Sequence, residues 1–294
     1  MTVPDDFLHR FRLERAGVHG ALVRLDEAWR HIHGNGEYDA PLAELLGQTV
    51  AASALFTSAI KFDGRLSIQL RDSGALRLLF AECTSDGQVR GIGRRDDEQA
   101  KARVSLEPGA HLAITIENSA TDTRYQGLVP VEHGDLASAF EGYFRRSEQL
   151  PTRLVLAATG QRCAGLMLQQ VAAAGGVHAG DADGWNRAEH LLATLRPDEL
   201  LELPPEDLLY RLFHEEDIRL QAARPLAFGC TCSRERVADM LRSLGHEENE
   251  SVLAEQGSAQ ITCEFCNRRY VFDGADVAAL FVDEPPATAM PTRH

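Results

Sequence analysis

Cys230-Thr231-Cys232 is followed, thirty residues on, by Cys263-Glu264-Phe265-Cys266, a C-x-C-x30-C-x2-C pattern. Two close pairs of cysteines drawn from distant chain segments are what a tetrahedral zinc site requires. Zinc takes four thiolates at about 2.3 Å, and each short pair supplies one edge of the tetrahedron. The C-x2-C pair, followed by Asn267 and the apolar run Tyr270–Phe272, reads as a zinc-knuckle turn; the C-x-C pair is tighter than most structural sites use. Four of the six cysteines fall in the last 65 residues. The segment around them has one modest helical stripe, Val237, Met240, Leu241 and Leu244, opened by Ser233 as N-cap and closed by Gly245. Two short strands are predicted at Gln260–Thr262 and Tyr270–Phe272, a short acidic stretch at Glu247–Glu255 and a last helical turn at Asp276–Phe281; the three-proline tail Asp283–His294 reads as frayed. So thin a core needs a metal, and a structural zinc is worth roughly 10–16 kcal/mol of apparent free energy.

The same sulfurs invite a second reading. A thiolate is what oxidants attack, and a disulfide offers zinc no ligand. Each pair is close enough in sequence to close on itself, and such short loops restore no long-range order. Residues alone leave a permanently structural site and a redox switch both open. Cys83 and Cys163 have no paired partner in sequence and read as small buried hydrophobes.

Outward from this segment, the 294 residues suggest about two domains. With 44% hydrophobic and 25% charged residues the chain has an ordinary globular balance. Residues 1–180 mix periods and predict an α+β domain. Leu66, Ile68 and Leu70 alternate with polar residues, Asp72-Ser73-Gly74 offers a turn, and Leu76, Leu78 and Phe80 resume the alternation, which is a hairpin signal. His111–Glu117 and Arg153–Ala157 also read as strands. Tyr38–Lys61 reads as a long helix, apolar on most sides and therefore buried. Asp135–Arg146 reads as an amphipathic helix with Leu136, Phe140, Tyr143 and Phe144 inward, and the domain is expected to end in the Gly-rich stretch Ala174–Gly180.

Residues 181–229 carry helical spacing at Trp185, Ala188, Leu191, Leu192 and Leu195, a helix start at Pro197, and a third helix with Leu208, Leu209, Leu212 and Phe213 on one face. No strand signal appears there. This is a helical linker with an apolar stripe and an acidic face, and residues 230–294 form the small four-cysteine zinc domain.

Charge narrows the function. There are 44 acids against 30 bases, a formal net charge of −14. The first 180 residues hold 22 acids and 19 bases, the next 49 hold 11 and 5, and the last 65 hold 11 and 6. An acidic chain without a basic face argues against nucleic acid. No apolar run approaches the ~18 residues of a membrane helix, and the early acids of MTVPDDFLHRFRLE argue against a secretory signal, so a reducing, cytoplasmic setting is expected. Gly91-Ile92-Gly93 lacks the third glycine of a dinucleotide fingerprint, and His31 and His33 lie two apart on a helix and so point to different faces. No nucleophile–base arrangement is visible, so an enzyme is not expected.

Several stretches together resemble the 33 kDa chaperonin family: LLGQTVAASALFTSAIKFDGRLSIQL at 45–70, YFRRSEQLPTRL at 143–154, YRLFHEED at 210–217, CTCSRERVADML at 230–241, LAEQG at 253–257 and CEFCNRRYVF at 263–272. The resemblance spans essentially the whole chain, loosely over 181–195. It implies a cytoplasmic, ATP-independent holdase that is inactive while reduced with one zinc per chain. The implied ligands are Cys230, Cys232, Cys263 and Cys266, and the implied disulfides of the oxidised form are Cys230–Cys232 and Cys263–Cys266. Oxidation then expels zinc, loosens the linker and yields a homodimer that holds unfolding clients; Cys83 and Cys163 lie outside the family pattern. A hidden client surface at Leu208, Leu209, Leu212 and Phe213 suits that behaviour, with surrounding acids resisting self-aggregation. Two rivals are a constitutive zinc-ribbon-like interaction module, which keeps its zinc under oxidant, and a thiol oxidoreductase using C-x2-C, which turns over a disulfide substrate.

Overall fold

The most apolar helix of the sequence organises the larger part of the molecule. In a computed structural model, which describes residues 5–71, 75–96, 106, 109–131, 135–170 and 182–281, the helix α2 runs Ala40–Ala59. Asp39 caps it by accepting from the Leu42 amide at 3.2 Å, and Pro41 fits the first turn, where its missing N–H costs nothing. Leu46, Val50, Leu55 and Phe56 are fully buried, and so are Thr49 and Ser53. Their hydroxyls donate back to Leu45 O and Val50 O at 2.7 Å, which lets polar residues sit in an apolar layer.

Two antiparallel sheets enclose α2. The first has the order β10 (Ile218–Leu220), β1 (Phe7–Leu13), β2 (Val18–Leu25), β9 (Cys163–Gln170), β8 (Thr152–Ala158), with β11 (Arg224–Pro225) also paired to β1. The second runs β12 (Ala227–Phe228), β5 (Gln88–Arg95), β4 (Leu76–Thr84), β3 (Gly64–Arg71), β6 (His111–Asn118), β7 (Thr123–Pro130), antiparallel except that β12 joins β5 in parallel. The expected hairpin is β3–β4, in the register Leu66↔Cys83, Ile68↔Ala81 and Leu70↔Leu79. Its turn at 72–74, the Gly-rich stretch 174–180 and the tail 283–294 lie outside the described residues. Gly91 and Gly93 sit on β5 against α2: a Cβ at Gly91 would come 2.8 Å from Val50 Cγ2, so close packing, not a nucleotide, accounts for it. Helix α1 (Glu27–Gly34) follows β2. Helix α3 is shorter than expected, Leu136–Tyr143, and continues as a π turn over Phe144–Glu148 that closes at Gln149 with φ 56°.

The linker segment packs on the outer face of the first sheet. Helices α4 (Gly184–Leu192), α5 (Pro197–Glu202) and α6 (Pro205–Phe213) follow the predicted spacing, but residues 218–228 correct the all-helical reading, because β10, β11 and β12 join the two sheets. These strands are two or three residues long, too short for alternation to show. Leu208, Leu209, Leu212 and Phe213 are at most 2% exposed and share one apolar cluster with Phe7, Phe11, Leu13, Val18, Leu22, Leu166 and Leu168 of the sheet. Gly184 permits the close approach: a Cβ there would lie 2.5 Å from Ala16 Cα. Arginines of the sheet side clamp the helices. Arg162 donates to Asp26 at 2.5 and 2.6 Å, to Leu201 O at 2.7 Å and to Glu202 at 3.1 Å, and Arg24 reaches the carbonyls of Leu200 and Leu203.

Residues 230–281 form a separate small unit. It contains α7 (Arg234–Leu244), α8 (His246–Gln256), the hairpin β13 (Ala259–Thr262) with β14 (Arg269–Phe272), and α9 (Gly274–Leu280). The acidic stretch at 247–255 is thus a helix, held to α7 by buried Asn249, whose Nδ2 donates to Leu241 O at 2.8 Å and Gly245 O at 2.7 Å. Of the expected α7 stripe, Val237 and Leu241 are buried, whereas Met240 and Leu244 are 42% and 56% exposed.

Candidate metal centre

The C-x-C pair precedes α7 directly, and the helix start fixes it. Ser233 accepts from the Arg236 amide at 3.2 Å, as the sequence predicts, and Arg236 Nη1 donates to Thr231 O at 2.9 Å. The C-x2-C pair sits in the turn between β13 and β14. Cys263 O accepts from the Asn267 amide at 2.8 Å, Cys263 N donates to Arg268 O at 2.9 Å, and Asn267 takes the left-handed conformation that this tight turn needs, φ 56°. Arg234 ties the two segments together. Its Nη1 donates to Val271 O at 2.8 Å, its Nη2 pairs with Asp276 at 2.8 Å, and its guanidinium lies 4.1 Å from the centre of the Phe272 ring.

This arrangement gathers all four sulfurs within 4.8 Å of one another. Cys230 Sγ lies 3.6 Å from Cys263 Sγ, and Cys232 Sγ lies 3.4 Å from Cys266 Sγ, so the short approaches cross between the motifs. Among the described residues this is the one group of three or more such side chains placed to hold a metal ion. The thiols do not titrate alike. Burial pushes Cys266 up to about 12 and also raises Cys230. At Cys232 burial acts in the same direction, but hydrogen bonds from Tyr270, whose Oη lies 3.1 Å away, and from the other thiols outweigh it and lower the thiol to about 7. The surroundings therefore favour a thiolate at Cys232 and oppose one at Cys266 and Cys230. A dication at its centre would reverse that, since a coordinating thiol loses its proton outright.

The two remaining cysteines behave as the sequence suggests. Cys83 and Cys163 are fully buried in the layer between the sheets; burial pushes the Cys83 thiol up to about 12 and raises that of Cys163 well above its ordinary value. His31 and His33 point instead into aromatic contacts, His31 stacked 5.1 Å from Phe228 and His33 at 5.5 Å from Trp29. What sequence reasoning missed is the sheet half of the covered apolar surface: Phe7, Phe11, Leu13, Val18, Leu22, Leu166 and Leu168. Alternation in β1, where Phe7, Phe11 and Leu13 fall on one face, was the available signal. Among the described residues no helix is long and apolar enough to cross a membrane.

Comparison with known proteins agrees with these features. The family described as "Hsp33 protein" matches residues 6–273. A 33 kDa chaperonin of Ectopseudomonas mendocina is 45% identical over 298 residues, covering 99% of this chain and 100% of the relative. That of Nitrosococcus oceani is 42% identical over 290 residues, covering 98% and 99%. The crystal structure of a 33 kDa chaperonin from Thermotoga maritima superposes with a TM-score of 0.77 at 20% identity, over 94% of this chain and 98% of that one, which supports the fold. With a full-length match on both sides and the cysteine cluster in place, the chain belongs to the Hsp33 family, the 33 kDa chaperonins, which are chaperones and not enzymes.

Proposed function

We propose that the protein is a redox-regulated, ATP-independent holdase of the cytoplasm, held inactive by one zinc ion at Cys230, Cys232, Cys263 and Cys266 and activated when oxidation expels it. The observation that carries the reading is a single four-sulfur cluster drawn from two segments of a unit with little else to hold it. Four thiolates at about 2.3 Å from zinc lie about 3.8 Å apart along a tetrahedral edge. The short approaches of 3.4 and 3.6 Å fit that edge within the small shift binding requires. When bound, zinc supplies folding energy and keeps the sulfurs as thiolates.

Oxidation closes Cys230 on Cys232 and Cys263 on Cys266. Closing each disulfide from two thiolates gives two electrons to one hypochlorous acid, which takes up a proton from solvent and leaves as chloride and water. Neither loop ties distant chain together, so the small unit loosens, and the linker at 181–229, which continues into it in sequence, loosens in turn. Release uncovers two apolar faces at once: Leu208, Leu209, Leu212 and Phe213 on the linker, and the Phe11–Leu22–Leu166 face of the sheet they cover. Unfolding clients bind there, and the oxidised chains pair as homodimers.

The test is to treat the reduced, zinc-loaded chain with hypochlorite. Released zinc, thiol count, apolar-dye fluorescence, molecular mass and suppression of aggregation of a heat-denatured client are followed together. One zinc is expected to leave as four thiols are lost and client protection appears. Zinc loss with no gain in protection would sink the reading.

A further inference from the structure

At one edge of the first sheet, three cations gather around a groove, and the Asp63 carboxylate stands nearby, accepting from Ser85 Oγ at 3.2 Å. Arg10 on β1, Arg224 on β11 and Lys61, just beyond α2, line a cavity of about 380 Å³ together with Thr57, Ser58 and Ser85. An adjoining cavity of about 310 Å³ shares Arg10 and Ser58 and adds Arg12 and His19. No carboxylate lines either one, and among the described residues Arg10 and Arg224 form no ion pair.

Part of this cluster has a structural task. Arg10 Nη2 donates to Thr57 O at 3.3 Å, Arg224 Nη2 to Thr57 Oγ1 at 3.0 Å and Arg224 Nη1 to Ser85 O at 3.2 Å, which closes the C-terminal end of α2. A helix end offers only about half a negative charge, too little for three cations. Burial and the neighbouring Arg224 lower the pKa of Arg10, and Arg224 Nε is buried with no partner among the described residues. In a chain of net charge −14, a groove lined by three cations, with a spare buried donor at Arg224 and one carboxylate, Asp63, beside its lining, suits an anion.

We propose that this groove binds a phosphate group, held between Arg10 and Lys61 on one side and Arg224 on the other. Guanidinium forks match the paired oxygens of phosphate, and a multiply charged oxyanion suits three cations better than a single carboxylate. The cavity volume also lies in the range of small-ligand sites, roughly 300–1,000 Å³. Arg10 and Lys61 belong to the core and Arg224 to the linker, so the ligand bridges the two. A ligand that binds only the docked linker stabilises the docked state by mass action. The binding stands apart from the redox reading; only its effect on client holding rests on it.

The test titrates the reduced, zinc-loaded full chain by calorimetry at constant ionic strength in chloride. Orthophosphate, pyrophosphate and a nucleoside 5′-monophosphate are the probes, separating a free oligophosphate from a phosphate ester. Saturable binding to at least one is expected. Lys61→Gln and Arg10→Gln should each weaken it by about tenfold or more, while Arg219→Gln, the same charge change on β10 outside the groove, leaves it unchanged. Lys61 is exposed, so its substitution keeps the fold intact. Binding no stronger than to chloride, or equal in wild type and Lys61→Gln, overturns the site. With binding established, the best probe should raise the oxidant dose at which apolar dye binds; an unchanged dose overturns the bridge to the linker. Failure of client protection without any phosphate would count instead against the holdase reading.

Discussion

The two units of this protein meet the cost of ordering a chain by different means. In the larger one, α2 alone buries Leu46, Val50, Leu55 and Phe56 between two sheets, and a second apolar cluster lies under the linker helices. In the smaller one the buried apolar residues are Val237, Ala238, Leu241, Ala259, Tyr270, Phe272 and Val277, and its hairpin strands are four residues long. Seven buried apolar side chains, with partly buried ones such as Val252, Ile261 and Leu280 packed against them, make a thin core for a unit of this size. A metal held by the four sulfurs, as proposed above, would add to that core. The difference teaches where a chemical signal can act: removing one contact from the large unit weakens it, whereas losing a metal from the four sulfurs would withdraw a large share of what orders the small one.

The strongest way to break this contrast is to take the metal away. Chelation under reducing conditions, or Cys232→Ser, should remove an apparent stabilisation of about 10–16 kcal/mol from the small unit. In hydrogen exchange the amides of α7 and of β13–β14 should lose protection, while those of α2 and of β2 and β9 keep theirs. A metal-free small unit that stays compact and melts cooperatively would show that its apolar core suffices and that the contrast is mistaken.

A second experiment sharpens the contrast inside the large unit by comparing two buried phenylalanines. Phe213 of α6 lies under the linker, 6.1 Å from the Phe11 ring, and Phe56 of α2 lies between the sheets, edge-on to Phe140 and Phe144. Either change to alanine costs about 3–5 kcal/mol. The expected readouts differ. Phe213→Ala should open the linker, so that apolar dye and client bind at a lower oxidant dose, with the main melting transition nearly in place. Phe56→Ala should lower the main transition. If Phe213→Ala lowered only the main transition, the linker and the sheet would be one cooperative body and could not be released separately.

These outcomes also explain which parts of the molecule were legible in the sequence. The gathering of the four sulfurs was readable because thiol spacing is chemistry written locally: Cys230, Cys232, Cys263 and Cys266 come within 4.8 Å of one another, and the Ser233 cap and the Asn267 turn belong to the elements that aim them. The helix α2 was readable because it is apolar all round, and β3–β4 because one of its faces alternates. Strands β2 and β9 were not, since both faces are covered: Ala21 and Val23 face α2 while Val18 and Leu22 face the linker, and β9 is buried along almost its whole length. Strands enclosed on both sides lose the alternation that marks them. Strands β10 to β12 were hidden because their pairing partners, β1 and β5, lie more than a hundred residues away. The sheet half of the covered surface was missed for the same reason: it becomes a surface only when β1, β2 and β9 are side by side.

The smallest expected effect concerns the cysteines that the switch should not use. Cys83 and Cys163 share the layer around α2, fully buried, and burial keeps both thiols protonated far above neutral pH. The four C-terminal sulfurs are half-buried, and Tyr270 already favours a thiolate at Cys232. An alkylating reagent added after the metal is displaced should therefore label four cysteines in the folded chain, and six only in strong denaturant, as counted by intact mass. Cys83→Ala and Cys163→Ala should each cost about 1 kcal/mol of global stability and leave zinc content and oxidant dose unchanged. A shift of that dose in either variant would mean that chemistry reaches the core of the large unit, and the separation between a unit that folds by packing and a unit proposed to fold around a metal would no longer hold.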